Sequence, residues 1–228
     1  MILRRCVFAI FVVCLAVSAA SRAHAQARIG EAVVVKNQVV NATTSGQINV
    51  GDGVSRDETV ATGADSAARL VMADSTNLSL GANASLKLDR SVFNDEHSYR
   101  DIAIGLTTGA FRFVTGHSEK TAYKITTPLA TIGVRGTILD ILSQRGSTTV
   151  VLQEGAATVC TLGFQCVQLT QPGDTAIVSL TNGKVAIQKT GTAPWTFSST
   201  CASAAGLCTV TNFADASPPD DPNALCGR

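Results

Sequence analysis

Residues 130–160 read ATIGVRGTILDILSQRGSTTVVLQEGAATVC, and this stretch decides the fold class. It consists of short runs rich in Ile, Val, Leu and Thr, separated by residues that are common in turns. Because β-branched side chains pack well on a pleated surface, these runs predict strands at 130–134, 138–143, 148–153 and 156–160. A turn is predicted at Arg145-Gly146-Ser147, between the two middle runs.

The same pattern extends in both directions, from Ile29 to Gln188, without an apolar stripe of helical period. Upstream it predicts strands at 47–50, 102–106 and 110–114, and downstream Asn182-Gly183 is typical of a two-residue hairpin turn. The sequence therefore predicts an all-β fold of many short strands. A β-solenoid-like module, a β-sandwich and a barrel all fit, because strand periodicity does not distinguish among them.

Composition limits the possible partners. Only 15% of the residues are charged, the formal net charge is +1, and Lys and Arg are interspersed with Asp and Glu. No basic stripe is available to neutralise a phosphate backbone, so we expect no nucleic-acid partner. The 45% hydrophobic content is enough to form a packed core, so the middle of the chain is expected to fold.

The first 25 residues have the three parts of a secretory signal peptide. Arg4-Arg5 is followed by an apolar run from Cys6 to Ala20 and by the small-residue site Ala23-His24-Ala25. Cleavage after Ala25 would place the mature chain in the periplasm or outside the cell. The apolar run is short for a membrane span, so we expect no transmembrane anchor after cleavage.

The mature chain is expected to divide in two. Residues 26–190 should form the all-β domain, and residues 191–228 a partly disordered, cysteine-containing tail rich in Ser, Ala and Pro.

Five cysteines remain after cleavage: Cys160, Cys166, Cys201, Cys208 and Cys226. An exported protein meets an oxidising environment, so these are first interpreted as disulfide candidates. Cys160 and Cys166 flank five residues between two predicted strands, and hairpin pairing of those strands would bring their Cβ atoms within bridging distance. Zinc sites favour shorter spacings with histidine companions, so a disulfide is the favoured interpretation.

Other motifs predict neither catalysis nor cofactor binding. His97 and His117 are expected in exposed loops, since neither lies in a metal-binding pattern. Asp52, Asp65 and Asp74 occur in turns, where Asp commonly caps backbone N–H groups, and no calcium-loop motif surrounds them. We expect no catalytic residues, metal or cofactor.

Several motifs together resemble the FecR domain family between Gly51 and Val178. The most recognisable is Thr127-Pro128-Leu129-Ala130-Thr131-Ile132-Gly133-Val134-Arg135-Gly136-Thr137, and the others are Gly51-Asp52, Thr62-Gly63, Leu106-Thr107-Thr108-Gly109-Ala110-Phe111, Gln153-Glu154-Gly155-Ala156 and Pro172-Gly173-Asp174. The resemblance implies an all-β module that acts by contacting other proteins in the envelope. The best-known members of the family are membrane-spanning regulators of iron-uptake sigma factors.

Within that motif, Arg135, Gly136 and Thr137 are predicted to form a structural element. A buried guanidinium would need carboxylate partners, and Glu154 or Asp140 could provide them. We therefore expect Arg135 to anchor the turn by a buried charge, with direct contact to a ligand as the alternative. Gly136 is expected to supply a turn or a close backbone approach.

The sequence is thus interpreted as an exported, non-catalytic interaction module of the FecR type that binds another envelope protein, with signalling as one such role. The alternative is a structural or adhesive envelope protein that binds polysaccharide or assembles with itself. An aromatic content of 5% counts against a sugar-stacking groove.

Overall fold

The computed structural model describes residues 28–95, 98–119 and 123–198. Strands dominate this part of the chain, so the predicted all-β fold is confirmed. The strands are β1 (Arg28–Lys36), β2 (Val39–Asn41), β3 (Gly46–Gln47), β4 (Gly53–Ser55), β5 (Thr59–Thr62), β6 (Ala67–Met72), β7 (Asn77–Leu80), β8 (Ser85–Asp95), β9 (Ser98–Val114), β10 (Tyr123–Thr126), β11 (Ala130–Gln144), β12 (Ser147–Thr161), β13 (Cys166–Leu169), β14 (Thr175–Thr181) and β15 (Lys184–Thr190).

The strands form one hydrogen-bonded sheet. Its main path runs β15-β14-β12-β11-β10-β9-β7-β6-β1-β4, and β13, β8, β5, β2 and β3 are attached beside that path. Among the described pairs, β9 with β10 is parallel and the others are antiparallel. This pattern favours an antiparallel sheet folded over a core, since a β-solenoid stacks its strands in parallel.

Three long strands, β9, β11 and β12, each extend across both halves of the sheet. The first half of β9 pairs with β8 and β10, whereas its second half pairs with β7 and β11. β11 and β12 likewise exchange partners along their length. Side chains from both halves of β9, such as Ile104 and Phe113, belong to one buried cluster. The two halves of the sheet therefore face each other across a shared core.

Each long strand contains a glycine with positive φ where two separate strands were predicted. Gly109 in β9 has φ 107°, Gly136 in β11 has φ 60° and Gly155 in β12 has φ 83°. A Cβ on Gly155 would lie 1.8 Å from the carbonyl oxygen of Gly136, and a Cβ on Gly109 would lie 2.4 Å from Cα of Ala84. These glycines allow an irregular, tightly packed backbone without ending the strand.

Local predictions fare well at turns and less well in short segments. Asn182 and Gly183 both have positive φ and connect β14 to β15, as expected for a hairpin turn. The strand predicted at 47–50 is wrong beyond Gln47, where β3 ends. Ile48 instead donates its backbone N–H to Val39 O, and a turn follows.

Packing continues past the last strand. Phe197 is 1% exposed and forms a second buried cluster with Ala67 and Ala110, against which Leu142 and Trp195 also pack. The segment that contains Phe197 therefore covers the face of β11 and β9 that points away from the main core. Hydrogen-bonded strands end at Thr190, and the domain boundary at residue 190 stays a prediction.

Several predictions lie outside the described residues: the signal peptide at 1–25, His97, and the cysteines at 201, 208 and 226. Among the residues that are described, no helix has the length and apolar character needed to cross a membrane.

Candidate functional site

An open groove lies on the outer surface of β11, β12 and β13 and has a volume of about 710 Å³. Its lining combines small, polar and apolar residues: Gly133, Ala156, Ala157, Thr158, Gln168, Thr170, Tyr123, Val134 and Leu169. Arg135 is the one charged residue among those that line it. We call this site the Arg135 groove.

The local backbone explains why Arg135 faces the groove. Ala130, Ile132 and Val134 are buried, so strand alternation directs Arg135 outward, where it is exposed. The expectation of a buried Arg135 is therefore wrong. Its suggested partner Asp140 is bound by Arg112 instead, and no ion pair joins Arg135 to Glu154 in the described part of the chain.

Gly136 and Thr137 sit beside the groove at the bend of β11. Thr137 is 2% exposed and is held against Thr115 by a set of hydrogen bonds. Thr115 N donates to Thr137 O at 3.0 Å, and Thr137 N donates to Oγ1 of Thr115 at 2.8 Å. These bonds satisfy backbone groups that the irregular pairing leaves free. The bend, and with it the direction of Arg135, is thus held by its neighbours.

The sequence did not predict the charge network around Asp140, a residue with no exposed surface. Arg112 donates to both carboxylate oxygens, from Nε at 2.7 Å and from Nη2 at 3.0 Å. Gln153 Nε2 and the backbone N–H of Phe197 also donate to Oδ2, at 3.0 and 2.9 Å. The guanidinium of Arg112 lies 5.6 Å from the centre of the Phe197 ring, within reach of a cation–π interaction.

A second buried carboxylate, Asp74, is 1% exposed and is bound by Tyr123, one of the residues that line the groove. The hydroxyls of Tyr123 and Ser118 donate to its Oδ2 at 2.5 and 2.6 Å, and the backbone N–H of Thr76 donates to Oδ1 at 3.0 Å. Burial raises the pKa of Tyr123, and its hydrogen bond to Asp74 acts in the same direction. These hydrogen bonds to Asp74 connect the start of β10 to the turn between β6 and β7.

Beyond the groove, β12 and β13 are closed by the predicted disulfide, which the structure contains between Cys160 and Cys166. The two residues pair directly across the hairpin, with Cα atoms 4.0 Å apart. The five-residue loop between them exposes Phe164 at 91% and Leu162 at 62% of their surface. Phe164 has a φ of 63°, an uncommon conformation for a residue with a side chain.

The remaining predicted site residues have local roles. Asp52 accepts a hydrogen bond from the backbone N–H of Asn49 at 2.7 Å, as predicted for a turn aspartate. Asp65 lies in a turn with φ 52°, and His117 is exposed. In the described ranges, no three His, Cys, Asp or Glu side chains are grouped so that they could hold a metal ion.

By fold, the protein is an all-β domain with an open surface groove and a disulfide-closed hairpin beside it. Residues 58–158 match the family model described as FecR protein. The match includes Arg135, Gly136, Thr137 and Gly155, and it ends just before the disulfide. None of the curated proteins matches the chain.

Two solved structures are similar to this chain, both crystal structures of "a putative anti-sigma factor from Parabacteroides distasonis ATCC 8503", at 1.65 and 2.50 Å resolution. Each is 16% identical, with TM-scores of 0.46 and 0.47. The alignments cover 57% of this chain and 58% of each of those chains. Similarity at this level does not carry a function from one protein to the other.

Proposed function

We propose that this protein is an exported, non-catalytic interaction module of the FecR type, which binds another envelope protein through the Arg135 groove. The observation that carries the proposal is the exposed position of Arg135 in a groove whose other lining residues are uncharged. The match of residues 58–158 to the FecR family model supports a regulatory rather than a catalytic role, with signalling as its most direct form.

The groove suits a protein ligand with an acidic group. Arginine is enriched at protein interfaces because its planar guanidinium binds a carboxylate through two parallel hydrogen bonds. Thr158, Gln168 and Thr170 add uncharged donors and acceptors around it. Because no carboxylate is among the lining residues, an acidic side chain of the partner would meet Arg135 without a competing anion in the groove.

Photo-crosslinking in the native host tests this proposal. A photoreactive amino acid replaces Arg135 in one variant and Lys184 in another, since Lys184 is exposed on β15, at one end of the sheet path, and does not line the groove. We expect a discrete adduct with one envelope protein from position 135 and none from position 184. Equal labelling from both positions, or none from either, would contradict the proposal.

Charge reversal then tests the role of Arg135 with the crosslinked partner in purified form. Arg135→Glu should weaken binding at least about tenfold, because it places two carboxylates in one groove. Lys184→Glu is the matched control and should bind as the wild type does. Unchanged binding of Arg135→Glu would overturn the proposed site.

Export is part of the same proposal and rests on the tripartite N-terminus. The intact mass of protein taken from the envelope should correspond to a chain that begins at Gln26. A chain that still begins at Met1 would contradict cleavage after Ala25.

A further inference from the structure

We propose that β13 is the contact strand of a homodimer, in which the β13 strands of two copies pair antiparallel and the 161–165 loops add apolar contact. This inference goes beyond the proposed function, since it concerns a second copy of this chain and the outer backbone edge of β13, a strand that also contributes Gln168 to the Arg135 groove.

The first observation is an open strand edge. In the described part of the chain, β13 pairs with β12 and with no other strand. Thr161 N donates to Gln165 O, so by antiparallel alternation Gln165, Val167 and Leu169 direct their backbone groups toward β12. Cys166 and Gln168 therefore direct theirs away from it, and form an edge to which another strand can add.

The second observation is the absence of charge. From Gly155 to Gly173 the chain has nineteen consecutive residues without Asp, Glu, Lys, Arg or His, and they form the second half of β12, the loop and β13. The two-residue β3, which pairs only with β2 in the described sheet, is also uncharged but shorter, and the strands at the two ends of the main sheet path differ from β13. β15 has Lys184 and Lys189, and the three-residue β4 is flanked by Asp52 and Arg56. Charge and shortness are common protections of strand edges, and β13 lacks the first of them.

The third observation is the rigid apolar loop next to this edge. Phe164 N donates to Thr161 O at 3.0 Å, Thr161 N donates to Gln165 O at 2.8 Å, and the disulfide closes the loop at its base. Phe164 and Leu162 are thus exposed on a pre-organised loop, so burying them costs little conformational entropy. The positive φ of Phe164 is a strained conformation that the loop maintains.

The lack of charge favours a second copy as the occupant. A two-fold axis brings the same strand from both copies together, so a charged edge would face its own like charge. β13 has no charge to repel its copy, and the N–H and C=O groups of an antiparallel edge complement those of the same edge in reverse. With the two-fold axis at Val167, Cys166 of each copy would pair with Gln168 of the other copy. So short a contact falls in the size range of weak, transient interfaces.

Sedimentation velocity of the mature protein, from micromolar to near-millimolar concentration, tests the proposal. We expect wild type to change from monomer to dimer over this range. Gln168→Lys places two like charges at the axis and should raise the dimer dissociation constant at least about tenfold. Gln188→Lys makes the same change at an exposed position of β15 and should leave it unchanged.

Phe164→Ser tests the loop separately, with Leu180→Ser as its control, since Leu180 is 45% exposed on β14. We expect Phe164→Ser to weaken dimerisation and Leu180→Ser to leave the dimer dissociation constant unchanged. Unfolding midpoints of all four variants establish that each is folded.

Three results would overturn the proposal: a monomer at every concentration, equal weakening by Gln168→Lys and Gln188→Lys, or a dimer that stays covalently linked in non-reducing denaturing electrophoresis. The first and third results use the wild type alone and are independent of the Arg135 experiments, whereas Gln168 also lines the Arg135 groove. If Arg135→Glu loses partner binding and the wild type stays monomeric, the proposed function is retained and the dimer is rejected. If Arg135→Glu binds the partner normally and the wild type dimerises, the dimer is retained and the proposed site is rejected.

Discussion

Two arginines of this protein lie in opposite environments. Arg135 lies in β11 before its bend, and Arg112 lies in the neighbouring β9, opposite Asp140 of β11 after the bend. The side chain of Arg112 is 14% exposed and binds the fully buried Asp140 through two hydrogen bonds. Arg135 is exposed in an open groove. The first arginine connects the sheet to the segment that covers it, and the second is free to meet a partner. Sequence position alone did not distinguish these two roles.

The bend at Gly136 and the segment that contains Phe197 together explain the difference. Before it, even-numbered residues face the core, as Ile132 and Val134 do, whereas after it the inward positions are odd-numbered, such as Leu139 and Ile141. Asp140 therefore lies on the other face, where Phe197 covers it. When the inward and outward positions of a strand change over at an irregularity, its residues cannot all be assigned to faces by one period of two.

Loss of Arg112 should give the largest effect. Arg112→Met leaves a buried carboxylate without its cation, which costs about 3–5 kcal/mol of unfolding free energy when one partner of a buried pair is removed. Denaturant unfolding of the mature protein measures this. Arg112→Met combined with Asp140→Asn should recover part of the loss, because no charge is then left unpaired. A single variant as stable as wild type would show that the network contributes little.

The bend between the two arginines should be nearly as sensitive. Gly155→Ala adds a Cβ 1.8 Å from Gly136 O at a φ of 83°. We expect a loss of about 1–2 kcal/mol from the backbone conformation and about 1–3 kcal/mol from overpacking. Gly146→Ala is the matched control: its φ of 78° is similar, but the nearest atom to its Cβ is 3.9 Å away. Equal losses in unfolding experiments would mean that the close approach is not important.

Asp174 offers a case between the two arginines, since its carboxylate is 10% exposed and its partner Lys189 is 38% exposed. The ion pair with Lys189, 2.8 Å long, lowers the pKa of Asp174, and hydrogen bonds from the backbone N–H groups of Thr170 and Gln171 add to this. A folded-state pKa below the unfolded value stabilises the protein above the unfolded pKa. That stability is lost as pH falls below about 4.

Asp174→Asn should therefore reduce stability at pH 7 and flatten its decline in acid, as thermal unfolding between pH 7 and pH 2 would measure. Lys189→Met should give a smaller change in the same direction, because the two backbone hydrogen bonds remain. A wild type and an Asp174→Asn variant whose stabilities decline in parallel in acid would contradict this assignment.

Arg135→Ala should have the smallest effect on stability. Exposed substitutions away from packed or buried polar features usually change the unfolding free energy by less than about 0.5 kcal/mol. The same denaturant experiment as for Arg112 provides the comparison. A loss comparable to that of Arg112→Met would restore the structural role that we first expected for Arg135.

Much of the fold could be predicted because its signals are local. The hairpin at Asn182-Gly183 follows from the preference of these residues for positive φ. The disulfide follows from the spacing of Cys160 and Cys166 across a hairpin. Even the division of β11 at 134 and 138 located a true irregularity, although the backbone bends there and continues.

The groove could be predicted only in part. The motif around Arg135 was recognisable, but the groove also needs Gln168 of β13 and Thr170 just after it, which come alongside through the disulfide-closed hairpin. The open edge of β13 is likewise a property of the sheet order.

The sequence by itself thus determined the fold class, the turns, the hairpin disulfide and the resemblance to the FecR family, because each depends on residues close together in the chain. Only the tertiary structure decided which arginine is buried. Arg112 and Asp140 are 28 residues apart, and they meet because β9 and β11 pair in one register. Burial of a charge depends on what lies across the sheet and above it, here Gln153 and Phe197, and no local pattern contains that information.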